Sequence, residues 1–216
     1  MSLKNNDFLE IDFTARVKDG DIFDSNVEKD LKELGSKTKA KPFIFSLGQG
    51  MFLKGVEEYL IGKEVGKHKI ELIPEKAFGK RDPKLIQRVP VNVFKENNLR
   101  PVPGIMFNFD GKMGKVLAVS GGRIMVDFNN PIAGKDVEYD LNILRKVEDK
   151  KEQVSSFIDF LFKKNLKFEI KDKKIIIEAE KGMDKFIELF KDKFKELFNL
   201  DLEVKEIQDK SPKKSQ

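Results

Sequence analysis

The stretch of chain that decides the fold is residues 41–79, KPFIFSLGQGMFLKGVEEYLIGKEVGKHKIELIPEKAFG. Phe43, Phe45 and Leu47 alternate along the chain, which predicts a β-strand. In residues 51–60 the apolar side chains recur at helical spacing, which predicts a short helix. This segment therefore combines a strand with a short helix.

A second strand is predicted after this helix, because His68, Ile70 and Leu72 share one face of an extended segment. We expect His68 to be a half-buried strand residue rather than a catalytic or metal-binding group. Glu57 and Glu58 are neighbours on the helix and therefore point in different directions. We expect both to lie on a solvated face and not to form an acid–base pair.

Further strands flank this segment on both sides. Residues 7–17 and 136–147 alternate between apolar and polar side chains, which is typical of half-buried strands. Asp19 and Gly20 form a hairpin turn signal after the first of them. Residues 27–40 are polar, and we expect them to form a bulge or a loop.

The composition excludes several classes of site. Among 216 residues there are 19 phenylalanines, one histidine and no cysteine. Disulfides, thiolate catalysis, cysteine-ligated metals and multi-histidine metal sites are therefore excluded. There is no phosphate-binding loop and no membrane-length apolar run, and the first residues lack an apolar signal core. We expect a soluble, cytoplasmic protein with no cofactor and no bound metal.

The distribution of charge predicts domain borders. The net charge is +5, but acidic and basic residues are interspersed, so we expect a solvated surface and neither nucleic acid nor a membrane as partner. Residues 83–130 carry 10 charged residues in 48 positions, whereas 149–216 carry 32 in 68. We therefore predict the following parts: residues 1–82 with 131–148, an insert at 83–130, a C-terminal domain at 149–210, and a disordered tail at 211–216.

The insert is predicted to be a small β-rich module. Residues 85–93 resemble a strand with Pro90 at an edge or a bend, and short alternating segments follow. The insert also holds three of the six methionines, which adapt to varied apolar partners. We expect several apolar side chains to lie near its surface: Val91, Val93, Phe94, Met106, Phe107 and Met113. The alternative is that many of them form the core of so small a module.

The C-terminal module is predicted to have the order α-β-β-α-β. Residues 150–163 form the first helix, 166–177 a hairpin, and 202–207 the last strand. Asp184 is suited to cap a helix that extends to residue 198.

That second helix carries a wide aromatic stripe, formed by Phe186, Phe190, Phe194 and Phe198. The stripe drifts around the helix and exceeds the usual core-facing width. We expect a second copy of the chain to cover the excess, giving a homodimer, while a fully buried monomer core is the alternative.

Three segments carry a recognisable pattern in a fixed order. They are VKDGDIFDSN at 17–26, the segment 41–79, and VEYDLNILRKVE at 137–148. In combination they resemble the FKBP-type peptidyl-prolyl cis-trans isomerases. Residues 79–94 and 129–141 are similar to SlyD-like members, which carry a second domain inserted in the flap. The C-terminal module resembles the extra domain of long archaeal FKBP-type proteins.

The resemblance implies an α+β fold with an FKBP-like antiparallel sheet around a short helix, and isomerase activity on X-Pro bonds. It implies a catalytic pocket formed by Phe13, Phe23, Asp24, Phe43, Phe52, Leu53, Phe78, Ile132 and Tyr139. It implies further substrate-binding residues: Val56, Phe45 and Ala133 near the pocket, and Val93, Phe94, Met106 and Met113 in the insert. The backbone N–H of Leu53 is the implied anchor for a substrate carbonyl.

Three positions depart from the family pattern. Phe78 lacks the hydroxyl of the usual flap tyrosine, Val56 stands where many members have tryptophan, and Phe13 lacks the hydroxyl that would bond to Asp24. A lost hydrogen bond costs about 1 kcal/mol. We expect these changes to weaken macrolide binding more than isomerisation.

The implied reaction needs no acid, base or metal. Rotation about an X-Pro bond is opposed by amide resonance, with a barrier of roughly 18–20 kcal/mol. A dry, apolar pocket favours the twisted, less polar state over the planar one. The expected partners are unfolded or partly folded proline-containing polypeptides, held in part by the insert as a chaperone domain. A non-catalytic peptide-binding chaperone with a degenerate pocket stays open as the alternative.

Overall fold

The computed structural model describes residues 2–207, and these form a mixed α+β fold, as predicted, in which the C-terminal sheet also contains one parallel strand pair. The predicted tail at 211–216 lies outside the described residues. The strands, in chain order, are β1 (Phe8–Val17), β2 (Ile22–Ser25), β3 (Phe43–Ser46), β4 (Gly66–Leu72), β5 (Ile86–Pro90), β6 (Met106–Phe109), β7 (Lys112–Ser120), β8 (Arg123–Asp127), β9 (Val137–Lys146), β10 (Phe168–Lys171), β11 (Lys174–Glu180) and β12 (Asp201–Ile207). The α-helices are α1 (Glu28–Glu33), α2 (Lys54–Leu60), α3 (Val91–Glu96), α4 (Lys150–Phe162), α5 (Asp184–Glu188) and α6 (Lys191–Phe198). Within these residues, no helix is long and apolar enough to cross a membrane.

The described chain divides into two compact units. The first comprises residues 2–14, 24–69 and 140–207, and the second comprises residues 15–23 and 70–139. The strand order of the first sheet is β2-β1-β9-β4, and β3 pairs with β1. In the first unit, β3 runs antiparallel to β1, with Phe43 opposite Ile11 and Phe45 opposite Leu9.

The first unit has a buried apolar core, to which β1, β3 and α2 contribute side chains. Leu9, Ile11 and Phe45 are buried where β1 and β3 pair, and α2 buries Val56 and Leu60. The predicted loop at 27–40 is partly wrong, because α1 forms within it. Its single buried apolar residue, Leu31, is too weak a periodic signal to predict a helix.

The second unit contains a four-stranded antiparallel sheet of order β5-β8-β7-β6. Its core is formed by Phe94, Val116, Ile124 and Val126. The predicted strand at 85–93 ends at Pro90, because the proline can cap the start of α3 but cannot continue the sheet ladder. Phe94 is therefore a core residue on a helix, and the expectation that it lies near the surface is wrong.

The C-terminal part of the first unit forms a three-stranded sheet of order β10-β11-β12. β10 and β11 make an antiparallel hairpin, whereas β11 and β12 are parallel. Asp172 and Lys173 both have positive φ, as a two-residue hairpin turn requires. The first helix, α4, begins at the N-cap Asp149, whose side chain accepts the backbone N–H of Glu152 at 2.9 Å.

The predicted helix at 184–198 is wrong in its continuity. The segment forms two helices, α5 and α6, with Leu189 77% exposed at the break, and α5 is preceded by Met183 rather than capped by Asp184. Phe194 and Phe198 lie four residues apart on α6, so they share one face of that helix, and both are buried.

Other residues of the same unit cover that stripe. Phe198 packs against Phe8 of β1 and Phe157 of α4, at centroid distances of 5.6 and 5.7 Å. Phe194 packs against Phe157 at 5.3 Å. The excess that a second copy was expected to cover is therefore smaller than the sequence indicated. Phe190 is half-buried and Phe186 is 49% exposed, with the exposed Leu189 close by in the sequence.

Candidate active site

Four of the predicted pocket residues form one aromatic cluster in the first unit. The ring of Phe13 lies 5.0 Å from that of Phe52 and 6.4 Å from that of Phe43, measured between centroids. Phe43 and Phe45, two residues apart on β3, stack at 5.5 Å with an interplanar angle of 7°. Phe45 is fully buried, whereas Phe43 and Phe52 are half-buried. The cluster therefore presents two accessible rings on a buried aromatic support.

The loop before α2 is held by a residue that the sequence analysis placed wrongly. Glu57 is only 3% exposed, and its carboxylate accepts the backbone N–H groups of Gly48, Gly50 and Phe52 at 2.8, 3.1 and 2.7 Å. Glu58 is exposed, as expected. The usable signal was the glycine-rich loop followed by an acidic residue on the first turn of the helix. Such a loop leaves backbone donors that a carboxylate can satisfy.

Leu53 and Val56 occupy the start of α2. Leu53 is the extended N-cap residue and is half-buried, and its carbonyl accepts the N–H groups of Val56 and Glu57 at 2.9 and 3.0 Å. An N-cap residue precedes the intrahelical ladder, so its own N–H is not part of that ladder. Val56 is fully buried. It supports the loop from below, as Phe45 supports the aromatic rings.

A second set of polar contacts fixes the backbone of Phe13. The side-chain oxygen of Asn26 accepts the N–H of Phe13 at 2.7 Å, and the hydroxyl of Ser25 donates to the carbonyl of Phe13 at 2.8 Å. The same hydroxyl lies 3.0 Å from the carboxylate of Asp30, which also accepts the hydroxyl of Thr14. These contacts give Phe13 a fixed position next to its aromatic neighbours.

Asp24 directly precedes this polar network. Its side chain remains accessible to solvent, but the protein atoms around it raise its pKa above the ordinary value because they disfavour the charged form. The backbone N–H of Ser25 opposes this shift in the pKa of Asp24. The hydrogen bond from Ser25 offsets only part of the desolvation of this carboxylate. Asp24 is therefore suited to accept a hydrogen bond from a bound peptide.

The second unit contains another aromatic cluster of predicted residues. Phe23 contacts Phe78 at 5.5 Å and Tyr139 at 6.2 Å, both in edge-to-face geometry. Tyr139 is buried, whereas Phe23 and Phe78 are half-buried. Edge-to-face pairs contribute about 0.5–1.5 kcal/mol beyond burial. This cluster is therefore ordered by its own contacts.

Ile132 and Ala133 lie in a turn that is tied to the residue after Phe78. The N–H of Ile132 donates to the side chain of Asn130 at 2.9 Å, and the N–H of Gly134 donates to the carbonyl of Gly79 at 2.8 Å. Ile132 is half-buried and Ala133 is buried. Of the two, Ile132 is the one that can contact a ligand.

The predicted substrate-binding residues of the insert divide by exposure. Phe94 is fully buried and packs against Phe107 and Phe109, both at 5.5 Å. Val93 is half-buried on α3. Met106 and Met113 are 39% and 49% exposed. They belong to a larger set of exposed apolar side chains in this module, which also includes Val102, Ile105, Leu117 and Val119.

A polar clasp that was not predicted from the sequence lies next to the four-stranded sheet. Asn129 accepts the N–H of Asp82 at 2.8 Å and donates to the carbonyl of Asp82 at 3.0 Å. The buried carboxylate of Asp127 accepts from Arg81 and from Asn129. The clasp joins the chain segments that enter and leave the insert.

Two family models match parts of the chain, and several known proteins are similar to it. Residues 1–95 match the family model of the FKBP-type peptidyl-prolyl cis-trans isomerases, and residues 87–132 match the model described as FKBP26, IF domain. A short-type peptidyl-prolyl cis-trans isomerase of Methanocaldococcus jannaschii is 31% identical over 145 residues, covering 65% of this chain and 92% of the relative. The FKBP-type 16 kDa peptidyl-prolyl cis-trans isomerase of Escherichia coli strain K12 is 31% identical over 148 residues, covering 66% and 93%.

A third relative is more distant. The FKBP-type peptidyl-prolyl cis-trans isomerase SlyD of Haemophilus influenzae is 26% identical over 160 residues, covering 72% of this chain and 78% of the relative. The family resemblance inferred from residues 17–26, 41–79 and 137–148 is thereby confirmed. The chain belongs to the family of FKBP-type peptidyl-prolyl cis-trans isomerases.

Proposed function

We propose that the chain catalyses rotation about X-Pro bonds in folding polypeptides by desolvating the imide against an apolar, aromatic surface. The observation that carries this proposal is the cluster of Phe13, Phe43, Phe45 and Phe52, with two accessible rings on a buried support. The protein contributes no proton transfer to the reaction.

The mechanism follows from the electronic structure of the imide. In the planar state, resonance places negative charge on the carbonyl oxygen, and water stabilises that charge. In the twisted state the resonance is lost and the group is less polar. An aromatic surface that replaces water therefore costs the planar state more than the twisted one, which lowers the barrier.

The residues of the first unit have separable roles in this proposal. Phe43 and Phe52 contact the proline ring, while Phe45 and Val56 hold the surface rigid from below. The N–H of Leu53 anchors a substrate carbonyl, and Asp24 accepts a hydrogen bond from the peptide. A fixed orientation of the substrate reduces the entropy lost in the transition state.

The second unit contributes its own apolar surface. Phe23 and Phe78 present accessible ring faces, Tyr139 supports them, and the turn at Ile132 and Ala133 provides a further aliphatic contact. We include these residues in substrate binding. Each can be tested by a substitution of its own.

We also propose that three parts of the chain have different functions. Residues 1–82 with 131–148 are the isomerase domain, residues 83–130 are a chaperone insert, and residues 149–210 are a C-terminal domain. Support for the insert comes from its exposed apolar residues, among them Met106 and Met113. Exposed apolar surface of this kind can hold unfolded segments.

We separately propose that the chain self-associates through the C-terminal domain. Fewer exposed apolar side chains support this than the sequence predicted. It now rests on the exposed Phe186 and Leu189. Sedimentation of the full chain at tens of micromolar tests it. A monomer rejects the dimer, and a dimer that is lost in Phe186→Ser, Leu189→Ser supports it.

The isomerase proposal is tested by a protease-coupled assay on a Phe-Pro tetrapeptide. We expect a rate above the uncatalysed reaction, which takes tens to hundreds of seconds. An unchanged rate at micromolar protein would reject catalysis by this chain.

A further inference from the structure

A groove in the first unit has one wall from the isomerase part of the chain and one from the C-terminal part. Its volume is about 950 Å³. Three candidate site residues line it, namely Phe13, Asp24 and Phe43. Sites for drug-sized ligands span about 300–1,000 Å³, so this groove exceeds what a single prolyl residue needs.

The second wall is one continuous face of α4. The lining residues of this helix recur every four positions, as Lys151, Ser155, Asp159 and Lys163, with Glu152, Ser156 and Phe160 beside them. Residues four apart on a helix share a face. The opposite face is buried, through Val154, Phe157, Ile158 and Phe162.

The length of this face indicates what the groove can hold. From Lys151 to Lys163 the helix rises about 18 Å, at about 1.5 Å per residue. An extended chain advances about 3.4 Å per residue. The face therefore matches an extended peptide of about five residues.

Several contacts fix α4 in place without a ligand. Arg145 pairs with Glu10 of β1 and, at 2.7 Å, with Glu152 of α4. The side-chain amide of Gln153 donates to the carbonyl of Val147 at 2.7 Å. The ring contacts of Phe198 with Phe8 and Phe157 hold the same helix from its buried side. A wall that is already in place reduces the entropic cost of binding.

The charges of the groove favour an acidic occupant. Arg145 pairs with both Glu10 and Glu152, which leaves this group with a net charge of −1. The other charged lining residues are four lysines and two aspartates: Lys39, Lys41, Lys151, Lys163, Asp24 and Asp159. Lys163 also lies over the ring of Phe160, with its ammonium 4.6 Å from the centroid. Over the nine charged lining residues, five basic and four acidic, the net charge is +1, and the lysines place positive charge on both walls, where it complements carboxylates.

We propose that this groove extends the isomerase site and binds the residues that flank the isomerised proline, in extended conformation and with a preference for acidic side chains. The C-terminal module then determines substrate specificity. This inference rests on the proposed isomerase function, because its occupant is the same polypeptide.

The test compares two nine-residue peptides with a central Phe-Pro, one with aspartates and one with lysines in both flanks. Isomerisation is measured by NMR exchange at low and high salt, with the full chain. We expect kcat/KM for the acidic peptide to be about fivefold higher at low salt, with the ratio falling toward one in about 0.5 M NaCl, where charges are screened.

The variant Lys151→Glu, Lys163→Glu should abolish or reverse this ratio. The double variant Lys164→Glu, Lys167→Glu makes the same charge change at exposed residues outside the groove and should preserve it. Should the first variant fail to fold, Lys39→Glu, Lys41→Glu carries the same test on the opposite wall. A ratio unchanged in both groove variants overturns the inference.

The Phe-Pro tetrapeptide distinguishes the two levels of the proposal. If wild-type protein accelerates the tetrapeptide but treats the acidic and basic peptides alike, the groove inference is wrong and the isomerase function stands. If the tetrapeptide is not accelerated either, the proposed function itself is wrong.

Discussion

The carboxylate of Glu57 accepts the backbone N–H of Phe52 at 2.7 Å. A buried helical side chain thereby sets the position of a ring in the aromatic cluster. The same carboxylate also holds Gly48 and Gly50, so one residue orders the whole loop before α2.

Glu57→Gln should therefore reduce both stability and activity. The amide replaces a charged acceptor with a neutral one and turns an NH₂ group toward backbone donors. Hydrogen bonds to charged groups contribute about 1.5–3 kcal/mol, so we expect a loss of about 2–3 kcal/mol in the free energy of unfolding. Urea denaturation measures this, with kcat/KM on a Phe-Pro tetrapeptide as the second readout.

Glu58→Gln is the matched control, because Glu58 is exposed and its ion pair with Lys54 spans 3.8 Å. A surface pair contributes about 0–1 kcal/mol. Equal effects of the two substitutions would contradict the role given to Glu57.

Asp24→Asn should change the pH dependence of stability. Burial raises the pKa of Asp24 in the folded state, so folding favours its protonated form. The stability that this provides is present below the unfolded pKa and is lost as pH rises through the folded pKa. The difference in the free energy of unfolding, variant minus wild type, should therefore be larger at pH 7 than at pH 3.

Urea denaturation across that pH range checks the prediction, and the isomerase rate of the variant should fall. A stability difference that does not vary with pH would show that the fold does not shift this pKa. Full activity would remove Asp24 from the proposed site.

Leu117→Ser, Val119→Ser should weaken the action of the chain on proteins more than on peptides. Both side chains are exposed on β7, so their loss removes apolar surface without opening the core. The measured quantity is the ratio between acceleration of a proline-limited refolding reaction and acceleration of a tetrapeptide. Lys115→Ser, at an exposed site on the same strand, is the control. A ratio equal to that of wild type would argue against the insert as a chaperone surface.

Gly114→Ala should destabilise the four-stranded sheet. A Cβ at this position would lie 2.6 Å from a methyl of Val126 and 2.8 Å from the ring of Phe128. Overpacking of this kind costs about 1–3 kcal/mol. In Gly20→Ala the nearest atom would be 3.4 Å away, so we expect almost no change in a thermal or urea unfolding curve. Similar curves for both variants would contradict the tight packing around Gly114.

The longer strands of the first sheet could be predicted from sequence where apolar and polar side chains alternate with a period of two. Val137, Tyr139, Leu141 and Ile143 show this in β9. The family motif added the aromatic residues, and Phe13, Phe43, Phe45 and Phe52 do lie together.

Other features depend on tertiary contacts that no local pattern carries. The contacts of Phe194 and Phe198 with Phe157 and Phe8 join segments that are distant in sequence, so no local pattern shows them. Glu57 is buried because three backbone donors from another segment converge on it. The expectation of a solvated face came only from its position next to Glu58 in the sequence.

The central claim is that the aromatic cluster of the first unit provides the surface on which the prolyl bond rotates. The most direct measurement is kcat/KM for a Phe-Pro tetrapeptide with wild type, Phe52→Ala and the control Phe186→Ala, each checked by circular dichroism. We predict a rate well above background for wild type and the control, and about a tenfold loss, which is about 1.4 kcal/mol, in Phe52→Ala. Equal rates in a folded Phe52→Ala protein would contradict the claim.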